Sequence, residues 1–213
     1  MADWATISSL ATAGGTLVLA IATFGSIRSA NRAARVAERS LLAQQRPILI
    51  PSREDDLTER VRFGDGFAFE LRGHGSTLAA ENGVVYLAIG LRNGGAGLAV
   101  LHGWRAQAWH GGGGDTRPDL DGFRRLTRDL YIPASSNGFW MGTIRDTADP
   151  DYDWICERIE RGDRISIDLL YGDQEGGQRT IARFAASSDH AEGADSGRAE
   201  VIRYWNVDGS DPR

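Results

Sequence analysis

Residues 84–104 read VVYLAIGLRNGGAGLAVLHGW. Val84 to Leu91 is the strongest strand signal in the chain, an apolar run that predicts a strand buried on both faces. The Gly-rich turn Arg92 to Gly97 follows, and a second apolar run, Leu98 to Trp109, begins at once. Leu101, Trp104 and Trp109 are large enough to anchor a core. A phosphate-binding fingerprint needs a helix after its glycines, whereas Gly94, Gly95 and Gly97 lead into another strand, so they read as a tight inter-strand turn.

Working outward, strand-like patterns recur on both sides. Ile48 to Ile50 is a short apolar run, Arg60 to Phe63 alternates, and Phe67, Phe69 and Leu71 alternate after the turn Gly64-Asp65-Gly66. Beyond Gly111 to Gly114 a polar insertion runs to Thr127, followed by strands at Leu130 to Pro133 and Phe139 to Ile144 around the turn Ala134 to Gly138. Arg164 to Tyr171 and Gln178 to Ala185 form a hairpin across the loop Gly172 to Gly177. Ser187 to Gly197 is a polar connection to a last strand, Ala199 to Val207. Asp149 to Arg161 carries the one helical pattern, with acidic residues suited to a helix start. Eight or so short strands, turn signals about every ten residues and one short helix predict a mainly β fold, an antiparallel β-sandwich.

The N-terminus is different. Trp4 to Ile27 contains no charged residue, and as a helix its length of roughly 36 Å suffices for a hydrocarbon core of about 30 Å. Arg28, Arg32, Arg35 and Arg39 follow at spacings that place them on one face of a continuing juxtamembrane helix, which ends near Gln45 because Pro47 restrains Arg46. Such a collar marks the cytoplasmic flank and suits a bilayer with anionic lipids. The expected topology is therefore an inner (plasma) membrane single-pass protein, N-terminus outside. Small-residue pairs, Ala11 with Gly15 and Ala22 with Ser26, and the face Ala30, Ala34, Ala37 and Leu41 leave open a homodimer through this helix. The expected domains are 1–46 (anchor, about 4–27, and basic helix, about 28–45), 47–207 (β-sandwich) and a tail, 208–213.

The formal net charge of −5 hides an asymmetry: residues 1–46 hold five arginines against Asp3 and Glu38, a net of +3, and the remainder carries −8. An acidic domain speaks against nucleic acid as a partner. All 24 basic residues are arginine, which fits codon usage and implies no mechanism. Cys156 is the only cysteine, so no internal disulfide exists.

Several runs, AERSLLAQQRP, LRNGGAGLAVLHGW, LYIPASSNGFW, YGDQEGGQRTIARF and RYWNVDGSDPR, resemble a group of single-pass membrane proteins of actinobacterial type across nearly the whole chain. More loosely, Asn93-Gly-Gly-Ala-Gly-Leu-Ala99 resembles the loop of bacterial immunoglobulin-like adhesion modules. That likeness implies an immunoglobulin-like sandwich and a binding role, with no catalytic residue or cofactor to carry over.

Candidate sites are few. Asp149, Asp151, Asp153, Glu157 and Glu160 fall at positions 1, 3, 5, 9 and 12 of a calcium loop, but Trp154 stands where the loop needs glycine and Pro150 lies within it. An acidic first helical turn explains the same residues. Tyr171, Asp173, Glu175 and Arg179 cluster at one hairpin, either as an ion-paired turn or as a partner-facing patch. Phe139–Trp140 and Tyr204–Trp205 are adjacent pairs whose members point to opposite sheet faces, so Trp140 or Trp205 beside an arginine would serve as an anchor for a protein partner. His74, His102, His110 and His190 show no ligand spacing. The residues together lead to a membrane-anchored binding or scaffolding module without catalysis. Alternatives are a metal-dependent enzyme or calcium-binding protein using 149–160, and a structural subunit of a larger membrane complex.

Overall fold

The computed structural model describes residues 3–111, 116–188 and 197–211, apart from the side chains of residues 5, 6, 11, 39 and 127. The chain divides into two units, residues 1–44 and 45–213.

The first unit is a single helix, α1 (Trp4–Gln44), of 41 residues, about 60 Å long at 1.5 Å per residue. Leu17, Val18, Leu19, Ile21 and Phe24 are all exposed on it. The Thr12 and Thr16 hydroxyls donate to the carbonyls of Ser8 and Thr12, each at 2.9 Å, so these polar groups are satisfied within the helix. By length and composition α1 is able to cross a membrane. The helix stops where the sequence predicts, just before Pro47.

The second unit contains β1 (Leu49–Pro51), β2 (Glu59–Arg62), β3 (Ala68–Leu71), β4 (Gly75–Glu81), β5 (Val84–Asn93), β6 (Ala99–Ala108), β7 (Arg124–Ile132), β8 (Asn137–Ile144), α2 (Tyr152–Glu160), β9 (Ile165–Gly172), β10 (Thr180–Ala186) and β11 (Gly197–Asn206). Nine strands form one antiparallel sheet in the order β1-β5-β4-β11-β10-β9-β6-β7, with β8 on β5. β4 and β1 take successive stretches of one edge of β5, and β8 takes the other. β11 reaches β4 only through Gly197 and Arg198. At that corner the sheet curls, so that the layer around β5 faces the layer β11-β10-β9-β6-β7 across a shared core, as a sandwich does.

β5 shows why its run has no polar alternation. Val85, Leu87, Ile89 and Leu91 enter the main core with Trp104, Trp140, Ile167, Leu169 and Phe184. Tyr86 and Ala88, on the opposite face, pack under the β2–β3 hairpin with Val61, Phe63 and Leu71. α2 closes the main core with Ile155 and Ile159.

The sequence undercounts the strands. β4 (GSTLAAE) carries a weak apolar signal and is a strand because β5 offers it a hydrogen-bonding edge. β7 begins at Arg124, inside the expected polar insertion; Arg124 lays its guanidinium carbon 5.6 Å from the centre of the Trp104 ring, so a charged residue sits at a strand position. Of the connections singled out above, residues 112–115 and 189–196, which include His190, lie outside the described residues, as do the final two residues of the tail.

Candidate binding site

The most heavily engineered local structure lies where the chain joins the β-domain, at residues 45–50. The turn after β5 holds this segment by close backbone approach. A Cβ on Gly95 would lie 2.7 Å from the Ile48 nitrogen and 2.8 Å from Pro47 Cα, and one on Gly97 would lie 2.8 Å from the Gln45 carbonyl carbon. Only glycine allows two backbones to run this close. Asn93, fully buried, completes the junction: its Oδ1 accepts from Ile48 N at 3.1 Å and Gly95 N at 2.9 Å. Its Nδ2 donates to the carbonyls of Gly97 at 2.6 Å and Ile132 at 3.0 Å. The Asn-Gly-Gly-Ala-Gly motif is thus a tight turn, as its sequence predicts, and also a clasp for residues 45–48.

Two tyrosines anchor the next residue. Leu49 N donates to the Tyr171 hydroxyl at 3.3 Å, and the Tyr204 hydroxyl donates to the Leu49 carbonyl at 2.7 Å. Burial pushes Tyr171 up to about 12 and raises Tyr204 as well. Tyr171 is fully buried, which removes it from any partner-facing patch: it is a core strut.

Beside the clasp, Arg46, Gln178, Arg179, Asn206, Asp208 and Gly209 line a cavity of about 320 Å³. Arg46 Nη2 donates to Thr180 Oγ1 at 3.0 Å and to Asn206 Oδ1. Arg179 grips Asp208 through Nε at 3.1 Å and Nη2 at 2.6 Å; this guanidinium holds the Asp208 carboxyl below its usual range. Residues 208–211 fold back as well, with Asn206 N donating to Asp211 Oδ1 at 2.8 Å.

Asp173 turns inward to organise its own loop, accepting from Glu175 N at 3.0 Å and Gly177 N at 2.9 Å. Of the hairpin residues proposed as a patch, Arg179 lines the cavity described above. His102, at the irregularity in β6, has a buried Nε2 without a hydrogen-bond partner, and burial depresses its titration.

The two tryptophans are corrections of the same kind. Trp140 is fully buried against Trp104 at 5.3 Å between ring centres, because its side of β8 faces the main core. Trp205 is buried on the other face of its layer, with Arg183 4.8 Å and Arg203 5.6 Å from its ring centre. Residues 116–123 cover that face: Arg117 donates to the Asn206 carbonyl at 3.3 Å, and Gly122 packs on Arg105.

The acidic segment also has an occupant. Arg124 binds Asp149 through Nη1 at 2.5 Å and Nη2 at 2.6 Å, and Asp151 through Nη2 at 2.7 Å. Asp149 is thereby held below the usual carboxylate range. Asp153 and Glu160 stand exposed on α2. The loop pattern therefore fails as a cation site: a guanidinium occupies its first two carboxylates and a helix replaces the encircling loop. Among the described residues, no three His, Cys, Asp or Glu side chains converge as metal ligands.

Arg28, Arg32 and Arg35 are exposed on α1; the Arg39 side chain lies outside the described residues. The sequence reading misses Arg46, Arg124 and the Asp168–Arg183 pair. That pair has a sequence signal, since each residue is the one charge within an apolar strand and the hairpin pairs Tyr171 with Thr180, which sets Asp168 opposite Arg183.

No protein-family model matches the chain, and no curated protein or solved structure matches it either. The likeness to actinobacterial-type membrane proteins and to adhesion modules rests on the quoted residues alone.

Proposed function

We propose that this protein is a single-pass inner-membrane protein whose β-domain lies on the cytoplasmic side and acts as a binding or scaffolding module, without a catalytic step of its own. The observation that carries the reading is α1, a 41-residue helix whose large apolar side chains are exposed. Water would make so much apolar surface costly, and lipid removes that cost. The arginines that follow residue 27 supply the retained, cytoplasmic flank, and their exposed stripe suits anionic headgroups.

A binding role fits the way the domain uses its charges. Asp149, Asp151, Asp168 and Asp208 each engage an arginine, so these carboxylates hold the scaffold together. The junction clasp favours the same reading, because it ties the domain's first residues to three different strands. Reporter fusions at residue 213 test the topology: cytoplasmic signal is expected, and extracellular signal would overturn it. Affinity purification from membranes, with identification of co-eluting chains, tests the scaffold role, and recovery of the chain alone under mild solubilisation counts against it.

A further inference from the structure

We infer that the cavity beside the junction clasp is an oxyanion site for a phosphate group, with Arg46 as its principal charge. The inference stands apart from the membrane reading, since every residue it uses belongs to the β-domain.

Arg46 is the observation that demands an explanation. Three other buried or half-buried arginines of this domain meet a carboxylate: Arg124 meets Asp149 and Asp151, Arg179 meets Asp208, and Arg183 meets Asp168. Arg46 meets only the neutral oxygens of Thr180 and Asn206, both through Nη2. No ion pair joins it to a carboxylate among the described residues, although the domain as a whole is acidic. A guanidinium has five N–H donors, so Arg46 keeps an edge that these two contacts do not use.

The cavity gives that edge somewhere to act. Its volume of about 320 Å³ reaches the lower end of small-ligand pockets. Arg179 also lines the cavity, with its fork partly engaged by Asp208, and the three charges sum to one positive unit. Both ends of the Asn206 amide are tied down, its Oδ1 by Arg46 and its Nδ2 by the Ser210 carbonyl to which it donates. Gln178 Nε2 is tied to Asp173 at 3.2 Å. The walls are therefore preorganised, and planar, paired donors of this kind favour phosphate over chloride by geometry as well as charge.

The phosphate has two sources, a lipid headgroup or a soluble phosphate ester, and the test separates them. The full chain in neutral maltoside micelles is titrated with inorganic phosphate by calorimetry, against chloride at matched ionic strength. Saturable phosphate binding is expected. Arg46→Gln should weaken it about tenfold or more, from the loss of a charged hydrogen-bonding partner. Because that substitution also touches the fold, Asp208→Asn is the decisive variant. It removes the only carboxylate among the described lining residues and should tighten phosphate binding several-fold, which unfolding cannot imitate. Replacing Arg28, Arg32 and Arg35 together with Gln should leave the affinity unchanged. No saturable binding by the wild type, or an affinity unmoved by Asp208→Asn, overturns the assignment. Dihexanoyl phosphatidylglycerol binding more tightly than glycerol 3-phosphate would identify the lipid source, and the reverse order the soluble one; no binding of either would overturn the site.

Discussion

Arg183 and Asp168 face each other on neighbouring strands as a two-pronged pair, Nε to Oδ1 at 2.6 Å and Nη2 to Oδ2 at 2.9 Å, with both side chains buried. Arg105 adds a third member, its Nε 3.6 Å from Asp168 Oδ2. The pair lies on the face of the layer turned away from the core, beneath Trp205 and the covering residues 116–123. A sheet face expected to be wet is therefore dry, and its charges must compensate one another.

The first prediction follows from that dryness. Arg183→Met leaves the Asp168 carboxylate buried beside a single, more distant guanidinium, and should cost about 3–5 kcal/mol. Combining it with Asp168→Leu removes the stranded charge, so the double variant should regain most of the loss. Denaturant unfolding of the four proteins of the cycle measures the coupling. Additive losses would mean that the pair does not act as a unit.

Gly97→Ala tests the junction clasp. The added methyl carbon would collide with the Gln45 carbonyl, 2.8 Å from its carbon, and that neighbour is backbone that cannot swing aside. Strain of about 1–3 kcal/mol is expected. Gly64→Ala is the control, because a Cβ there meets nothing within 4 Å, and its unfolding midpoint should stay near that of the wild type.

Asp65 supplies a pH dependence. The Tyr86 hydroxyl donates to it at 2.6 Å and Arg145 lies 2.7 Å away, and together they hold its carboxyl down to about 2. The folded state thus binds this proton less readily than the unfolded chain, whose carboxyl titrates near 4. Stability from Asp65 is complete above about 4 and is lost as pH falls towards about 2. Thermal midpoints over this range should fall more steeply for the wild type than for Asp65→Asn.

The sequence carried the broad architecture because a long uncharged helix and an antiparallel sheet domain leave different periodicities. An uncharged stretch ending in spaced arginines has few readings, and VVYLAIGL needed a strand covered on both faces. Tyr171, Trp140 and Trp205 were harder, since alternation says that adjacent side chains diverge but not whether each face is covered. The β2–β3 hairpin packs on Phe139, and Arg183 and Arg203 lie over the Trp205 ring; the first is a long-range event with no local signature. Arg124 was invisible for the same reason, because its partners lie 25 and 27 residues away. The spacing at 149–160 was legible as a helix start rather than a calcium loop, because Trp154 and Pro150 break the loop pattern; the engagement of Asp149 and Asp151 by Arg124 was not.

Arg124 gives the fourth prediction. With Asp149 and Asp151 already engaged by its guanidinium, millimolar calcium should leave the thermal midpoint of the wild type unchanged. Arg124→Gln strands two carboxylates and uncovers the Trp104 ring, for a loss of about 1–3 kcal/mol. A calcium-dependent rise of the wild-type midpoint would restore the segment to a cation-binding role.

The last prediction concerns the arginine collar of α1. If Arg28, Arg32, Arg35 and Arg39 set the orientation, it is because moving positive charge outward across a bilayer is opposed during insertion, whereas acidic residues carry little topological weight. Changing all four to Glu removes the retained charge and leaves Arg46 as the nearest basic residue, 19 residues beyond Ile27 and clasped into the folded domain. The population should then divide between two orientations, or invert. Changing the four to Lys instead should preserve the original orientation, since the rule reads charge and not guanidinium geometry. Fusions at residue 213, assayed with one reporter active inside and another active outside, separate these outcomes, and an unaltered orientation in the Glu variant would show that the domain, not the collar, determines which side it occupies.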